Sequence, residues 1–264
     1  MVYDLQKASF GKRITAWIFD GILTVTLAVG FGFLLSVLLG YDGYSQTLDT
    51  AYAQYETEYG IVFDITQDAY QTMTDVQRQN YDAAYQALIN DSEAMHAYNM
   101  MLNLMLVITS VSILLAVLLW EFLIPLWLGN GQTLGKKIFS LCLVRNDGVK
   151  LNNMQLFTRT VLGKFTIETM LPVYILILIF WGTMGLTGTA VLFALLCAEV
   201  LCVALTRTNS AIHDLLAGTV VVDILVSVGS CAVMITSQMI FRTTEDLIAF
   251  KKQVAADQAA RKPY

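Results

Sequence analysis

Charged residues are scarce in this sequence: Asp, Glu, Lys and Arg make up 14% of its 264 residues, whereas 56% are hydrophobic. A soluble domain carries about 25% charged residues, so the composition excludes the ordinary soluble class and predicts an integral membrane protein. Proline is also scarce, with three residues in the whole chain, and this argues against long disordered linkers.

Histidine and cysteine are few, and their spacing fits no common catalytic or metal motif. The two histidines leave little for acid–base chemistry, and no Ser-His or Cys-His constellation is visible. The four cysteines match no zinc pattern; they are Cys142, Cys197, Cys202 and Cys231. The sequence therefore predicts a protein that is not an enzyme and that holds no cofactor and no metal.

Long apolar runs, in contrast, are plentiful. A helix needs about 20 apolar residues to cross the hydrocarbon core, and four stretches serve: 14–39, 102–128, 165–181 and 184–205. A fifth stretch, 219–240, is rejected as a span because it holds polar residues and because its β-branched residues suit strands better.

The distribution of charge predicts the orientation. Basic residues precede the first span and fill the loop between the second and third spans, so both segments are expected to be cytoplasmic. The segment 41–99 holds ten acids and one base, Arg78, together with nine tyrosines. We therefore expect this segment to be an external acidic cap, in which the tyrosines pack and anchor rather than bind a ligand.

These features predict an all-α membrane protein with four transmembrane helices, a small cytoplasmic β-hairpin platform and an external helical insertion. The predicted segments are a cytoplasmic N-terminus with the first transmembrane helix (1–40), the external acidic insertion (41–99), the second transmembrane helix (100–128), a cytoplasmic hairpin with an amphipathic helix (129–164), a hairpin of the third and fourth transmembrane helices (165–205), and a cytoplasmic segment (206–264) with a C-terminal helix at about 243–261.

The cytoplasmic platform is predicted from alternation and turn residues. "IFSLCLVR" (138–145) alternates as a strand, "NDG" (146–148) is a hairpin turn signal, and "VKLN" (149–152) returns. The helix that follows, 154–165, is amphipathic and is expected to lie on the inner membrane face. "GTVVVD" (218–223) is a candidate third strand.

The stretch "GQTLGKK" (131–137) resembles a phosphate-binding loop but lacks two of its requirements. That motif needs a glycine five residues before the glycine of its Gly-Lys pair and a Ser or Thr after the lysine. Position 130 is Asn and position 137 is Lys. The sequence therefore predicts no nucleotide site, and we expect no nucleic-acid partner.

Asp20 is the first of four acids that interrupt or border the spans. Arg13 precedes it by seven residues, which puts the two side chains on one face of a helix. The sequence thus predicts Arg13 as the partner of Asp20, either directly or through Asp214. A transport role and a packing role for Asp20 remain open from the sequence.

The other three acids are Glu121, Glu168 and Glu199. Glu121 and Glu199 have no basic residue within one turn, which favours an ion or proton pathway. Glu168 follows Lys164 by about one turn, which favours a structural role. Because a bare charge in the membrane is costly, the alternative is that these acids fix helix packing by pairing with Arg13, Arg159, Arg207 or His213.

The segment "NSAIHDLLAGTVVV" (209–222) places His213 next to Asp214. Adjacent residues point to different faces, so the sequence predicts no dyad. Asp214 follows the fourth span and is a natural acceptor for Arg13 or Arg159. His213 is interpreted as a hydrogen-bonded structural residue.

In combination, these motifs resemble the RDD family of membrane proteins. The resemblance covers roughly residues 8–40 and 100–223 and is carried, in order, by Arg13, Asp20, "GQTLGKK…VRNDG" (131–148), Arg159 and "HDLLAGTVVV" (213–222). It implies that Arg13, Asp20 and Asp214 form the charged set of the family, and that cation/proton antiport, proposed for some members, is a candidate role. The acidic insertion and the segment after 223 inherit no role from it.

Two functions follow as hypotheses. The first is a small cation/proton-coupled transporter, in which Asp20 titrates with help from Glu121 or Glu199, and Arg13 and Asp214 form a cytoplasmic gate. Four spans are few for a transporter, so it would act as a homo-oligomer. The alternative is a membrane scaffold or regulatory subunit that recruits protein partners through the cap or the platform.

The expected location is the lipid bilayer of a prokaryotic plasma membrane, with both termini cytoplasmic. The geometry around Asp20 separates the two functions. A transporter should have a polar cavity that reaches Asp20 and a second acid, whereas a scaffold should have Asp20 sealed against an arginine.

Overall fold

The computed structural model describes residues 8–128, 131–206, 210–223, 225–228 and 231–234, and the positions 245, 246, 248, 249 and 252. In chain order its elements are α1 (Phe10–Leu38), α2 (Tyr41–Tyr59), α3 (Gln67–Thr72), α4 (Asp75–Asn90), α5 (Ser92–Leu128), α6 (Leu134–Ile138), β1 (Leu141–Arg145), α7 (Asn153–Phe180), α8 (Gly185–Leu205), α9 (Ile212–Ala217), β2 (Thr219–Asp223), β3 (Leu225–Val228) and β4 (Cys231–Met234).

Four of these helices, α1, α5, α7 and α8, are long and apolar enough to cross a membrane. The predicted fold class is therefore confirmed. The described part of the rejected fifth span forms the strands β2, β3 and β4 rather than a helix. The predicted C-terminal helix lies largely outside the described residues, and its five described positions are helical.

The third span differs from the prediction because it is one continuous helix. Residues Thr158–Met170 of α7 are π-helical and join the short α-helical start to the apolar second half. The expected amphipathic helix at 154–165 is therefore the first part of α7 and not a separate element on the membrane surface. The π-helical segment packs against α9, and its buried residues include Arg159, Thr160 and Gly163.

A second, shorter π-helical segment interrupts α5 at Leu118–Leu123. Trp120 and Glu121 lie in it, and both are buried. Single-turn π-helical segments inside α-helices are frequently found at functional sites. The segment therefore makes Trp120 and Glu121 candidates for a functional role.

The sheet is formed by β1 and by the candidate third strand, β2, and not by the predicted hairpin of β1 with the return strand. β1 runs antiparallel to β2, with Leu143 opposite Val221, whereas the expected return strand at 149–152 supplies a single bridge between Lys150 and Val144. β2 is the partner of β1 because both faces of β1 are buried and need apolar neighbours. The valines of β2 are buried on each face, but Lys150 is exposed and cannot fill such a place.

Strand β1 also begins later than predicted, at Leu141 rather than at position 138. The residues before it form the short helix α6, whose first turn is capped by the hydroxyl of Thr133, which accepts from the backbone N–H of Lys136. The chain therefore turns helically at "TLGKK" before it extends. This turn brings the backbone of Gly135 close to α1.

The chain divides into two compact units, residues 29–112 and residues 1–28 with 113–264. In the first, α2 packs against α4 around Ala51, Leu88 and Ala94. Its aromatic rings meet edge to face, with Phe63 between Tyr52 and Tyr81. This packing agrees with the structural role expected for the tyrosines.

One element of this unit differs from the sequence prediction. Few helix breakers follow Thr74 in the sequence, which predicts a helix that runs unbroken into the second span, but α4 ends at Asn90 and α5 begins at Ser92. Asp91 causes the break, because its carboxylate accepts from the backbone N–H groups of Glu93 (2.9 Å) and Ala94 (3.2 Å) and so caps α5. These bonds lower the pKa of Asp91 below its usual range.

Candidate functional site

Asp20 lies on the buried face of α1 and is 2% exposed. Its carboxylate accepts hydrogen bonds from the indole Nε1 of Trp120 at 3.1 Å and from the backbone N–H of Gly135 at 2.9 Å. A third donor is the hydroxyl of Thr133. Neutral donors from α5 and from the start of α6 therefore hold this carboxylate.

The glycine at position 135 is required by this arrangement. A Cβ atom there would lie 2.7 Å from the carbonyl oxygen of Ala16 and 2.8 Å from the carboxylate of Asp20. Only a residue without a side chain lets the backbone N–H come within bonding distance of Asp20. The motif "GQTLGKK" thus binds a carboxylate of its own chain, not a phosphate.

The predicted partnership of Arg13 with Asp20 is wrong. Arg13 donates from Nη2 to Oδ2 of Asp214 at 3.1 Å, and the carboxylate of Asp20 is bound by Trp120, Thr133 and Gly135 instead. Seven residues along a helix separate the two groups by about 10 Å, and shorter contacts exist for both on other segments. Asp20 is closely packed by these groups, whereas the transporter hypothesis required a polar cavity at this position.

Asp214 is the centre of a second group, which we name the Asp214 latch and define as Arg13, Arg159 and Asp214. Arg159 donates from Nε to Oδ1 of Asp214 at 2.9 Å, and the hydroxyl of Thr219 donates to the same oxygen at 3.1 Å. The side chain of Asp214 is fully buried. The latch therefore ties α1, α7 and α9 together by charge.

Burial and charge oppose each other at Asp214. Burial by itself would raise the pKa of this carboxyl, but the charges of Arg159, His213 and Arg13 outweigh it and hold the pKa well below its usual range. Asp214 is thus a carboxylate at neutral pH. A buried pair of this kind is costly to break, because removing one partner leaves a bare charge.

Glu121 forms the third group, and its partners correct the sequence interpretation. It has no base within one turn of its own helix, but Lys164 donates to Oε1 at 2.5 Å and Lys136 lies 3.6 Å from Oε2. Both lysines come from segments that are distant in sequence. Glu121 is therefore neutralised and is a poor candidate for a mobile-ion pathway.

Lys136 is itself buried, with 8% of its surface exposed. Burial lowers the pKa of this amine to about 8, and the attraction of Glu121 offsets only part of that shift. The amine also donates to the hydroxyl of Thr133 at 3.3 Å. Thr133 in turn donates to Asp20. Hydrogen bonds through Thr133 therefore connect Asp20 to Lys136, and the ion pair of Lys136 connects that chain to Glu121.

Glu168 and His213 form the fourth group. The ring nitrogen Nδ1 of His213 lies 2.7 Å from the carboxylate of Glu168, and the backbone N–H of His213 donates to the same carboxylate at 2.9 Å. The partner of Glu168 is therefore His213 and not Lys164. Close packing supports this contact, since a Cβ at Gly163 would fall 2.5 Å from Cβ of His213.

The other ring nitrogen of His213, Nε2, faces the latch. It lies 2.7 Å from Nη2 of Arg159 and 3.7 Å from Oδ2 of Asp214. Burial and the charge of Arg159 lower the pKa of His213 more than Asp214 and Glu168 raise it. The imidazole is therefore neutral, with Nε2 accepting from Arg159 and Nδ1 donating to Glu168.

Glu199 on α8 completes a group that we name the acid–histidine cluster: Glu168, Glu199 and His213. One ligand atom from each of the three lies within 4.8 Å of the other two. Among the residues that the structure describes, Oε2 of Glu199 has no hydrogen-bond partner although it is buried. Sequence analysis named each member separately, but no spacing in the sequence shows that they meet.

The fold is that of a multi-pass membrane protein with four membrane-length helices and a small sheet. Buried ion pairs hold its helices together. The model of the RDD family matches residues 7–218, which is most of the chain. The chain belongs to the RDD family. No curated protein and no solved structure matches it.

Proposed function

We propose that this RDD family protein is a small cation/proton-coupled transporter whose ion site is the acid–histidine cluster. The observation that carries the proposal is the buried, unpartnered carboxylate oxygen of Glu199 beside a second carboxylate and an imidazole. Glu168 and Glu199 both lie in helices long enough to cross a membrane. The carboxylate of Glu199 accepts a hydrogen bond from the backbone N–H of Ile212, but among the described residues its buried Oε2 atom has no partner of its own. A cation or a proton would compensate this oxygen, and exchange between the two is antiport chemistry.

Asp20 has a different role in this proposal from the one that the sequence suggested. Its three donors leave it closely packed, so it anchors α6 to α1 rather than carrying an ion. Arg13 and Asp214 belong to the latch that supports His213. The titrating carboxylate in the proposal is Glu199.

The location and assembly follow from the same reasoning. We propose a prokaryotic plasma membrane with both termini cytoplasmic, on the distribution of basic residues, and a homo-oligomer, because four spans are few for a transporter. The lipid bilayer is the expected surrounding. Neither catalysis nor nucleic-acid binding is part of the proposal.

The test is proton flux into sealed vesicles that contain the purified protein, driven by a sodium or potassium gradient. We expect flux from the wild type, loss of flux in Glu199→Gln, and flux retained in Asp20→Asn. Glu58→Gln is the matched control, because Glu58 is an exposed glutamate of α2. Flux that survives Glu199→Gln but disappears in a folded Asp20→Asn variant would return the role to Asp20.

A membrane scaffold or regulatory subunit is the second candidate function. The close packing of Asp20 and the full burial of Asp214 favour it, since both groups fix helix positions without leaving a route for ions. Absence of flux from wild-type protein that is folded and correctly inserted would support this function. The acidic segment 41–99 and the sheet of β1 and β2 would then be the surfaces that recruit partners.

A further inference from the structure

The acid–histidine cluster combines ligand types that are selective for one class of ion. Alkali cations, Mg²⁺ and Ca²⁺ prefer oxygen ligands, whereas an imidazole with two carboxylates suits a first-row divalent ion such as Zn²⁺, Mn²⁺ or Co²⁺. We propose that Glu168, Glu199 and His213 bind a divalent transition-metal ion. The inference rests on the site of the proposed function and names the cation for it.

The spacing of the cluster is close to what such an ion needs. Metal–nitrogen and metal–oxygen bonds in these sites are about 2.0–2.2 Å long, so two ligands of one ion lie at most about 4 Å apart. The three ligand atoms already lie within 4.8 Å of one another. Side-chain movements of about 1 Å therefore bring them around a shared ion.

Glu199 is the second, independent sign of a ligand. Its oxygen Oε2 is buried and has no hydrogen-bond partner in the described part of the chain, which is costly for a carboxylate in an apolar surrounding. Glu168, in contrast, is bonded to His213 from both the ring and the backbone. A cation at the cluster would supply the interaction that the Oε2 atom of Glu199 lacks.

The latch offers the outer-shell group that a metal-bound histidine requires. A histidine that binds metal through Nδ1 carries its proton on Nε2 and donates it, most often to a carboxylate. Oδ2 of Asp214 lies 3.7 Å from Nε2 of His213. When the ion takes Nδ1, the proton shifts to Nε2 and is donated to Asp214.

Arg159 must then release Nε2 of His213. Once Nε2 carries a proton, it is a donor, and it cannot accept from the Nη2 donor of Arg159. Its Nη2 group, 2.7 Å from Nε2 before the ion binds, would move away. Its Nε atom keeps the 2.9 Å bond to Oδ1 of Asp214. Occupation of the cluster therefore breaks the contact of Arg159 with His213 and leaves the bond of Arg159 to Asp214 intact.

The test is a titration of the full-length protein in detergent with cobalt(II) chloride, after removal of bound metal by a chelator and dialysis. Cobalt(II) is a probe with visible absorption bands that report nitrogen and oxygen ligands. We expect a single tight site whose affinity falls at least about 100-fold in Glu199→Gln, since loss of an outer-shell partner alone costs about 10–100-fold. Zinc(II) chloride should displace the cobalt.

Two further variants keep the result interpretable. Glu58→Gln removes a glutamate of the acidic segment 41–99 and should leave the tight site unchanged, which excludes adventitious binding to that segment. His213→Gln should also abolish the site, and a melting curve of that variant shows whether it remains folded. Equal cobalt binding by wild type, Glu199→Gln and folded His213→Gln, or no binding at all, would overturn the inference.

The outcome of the cobalt titration can be distinguished from the outcome of the transport test. Tight cobalt binding that depends on Glu199, without proton flux in vesicles under a sodium, potassium or cobalt(II) gradient, would keep the metal site and remove the transporter. Flux that depends on Glu199 with sodium or potassium, without cobalt binding, would keep the transporter and remove the metal site.

Discussion

In the unit formed by residues 29–112, carboxylates cap helices and accept from tyrosines near the surface, as Asp91 and Asp82 do. In the unit formed by residues 1–28 and 113–264, carboxylates lie buried against bases from distant segments, as Asp214 does. The difference shows where charge specifies structure. An exposed acid stabilises one helix end, whereas a buried acid determines which segments must meet.

The largest loss of stability is expected when the charge at the centre of the latch is removed. Asp214→Asn leaves Arg13 and Arg159 buried beside a neutral side chain, and breaking such a pair costs about 3–5 kcal/mol. Asp82→Asn, at an exposed position of the other unit, should change stability by no more than about 0.5 kcal/mol. Melting in detergent measures both variants. Similar melting temperatures would remove the distinction between the two units.

The buried amine of Lys136 predicts a pH dependence. Its pKa is about 8 in the folded protein and 10.5 when unperturbed, so the unfolded chain binds more protons between these values and stability rises with pH across that window. Relative to Lys136→Gln, the wild type should gain about 2–3 kcal/mol from pH 8 to 10.5.

The matched control for this prediction is Lys137→Gln, because Lys137 is the exposed neighbour of Lys136. Melting curves of the three proteins at pH 7.5, 9 and 10.5 make the comparison. A difference between wild type and Lys136→Gln that stays constant with pH would contradict the burial of a charged amine.

A third prediction concerns two glycines, one in each unit. Gly163→Ala would place a Cβ 2.5 Å from Cβ of His213 and should destabilise the protein by about 1–3 kcal/mol through overpacking. Gly43→Ala, in α2, meets nothing within 4 Å and should stabilise its helix by up to about 1 kcal/mol. Thermal melting gives the sign of each change. A neutral Gly163→Ala would show that α7 and α9 are not in close contact.

The smallest effect is expected at Asp20. In Asp20→Asn the amide oxygen can still accept from Trp120 and Gly135, and the hydroxyl of Thr133 can turn to accept from the amide, so the cost should be about 1 kcal/mol. Asp20→Leu removes the acceptor of all three hydrogen bonds and should cost several times more. A cost for Asp20→Asn as large as that of Asp214→Asn would mean that a charge partner of Asp20 has been overlooked.

Much of the fold could be predicted from the sequence because it depends on local patterns. The apolar runs predict the four membrane-length helices. The spacing of charges also suggested Asp214 as the acceptor for Arg13 and Arg159, and both contacts are present. The continuity of α7 could not be predicted, because its first part is amphipathic at ordinary helical spacing and the π-helical segment Thr158–Met170, which joins that part to the apolar span, leaves no pattern in the sequence.

The site was less predictable, because its contacts join residues far apart in the chain. Glu121 had no base within one turn, but Lys136 and Lys164 reach it from other segments. Asp20 had an arginine on its own helix face, but the donors that reach it are an indole, a hydroxyl and a backbone N–H. Side-chain spacing along one helix cannot show which groups arrive from another.

By itself the sequence determined that this chain enters a membrane, where its four apolar helices end, and which charged residues those helices must accommodate. It did not determine where the second and third of these helices begin, at Ser92 and Asn153. The properties that it determined follow from transfer free energies and helical periodicity, which are local. Only the tertiary structure decided which charges meet. A buried charge takes the best partner that packing brings within about 3 Å, and packing brought Glu199 to Glu168 and His213 while it kept Arg13 from Asp20.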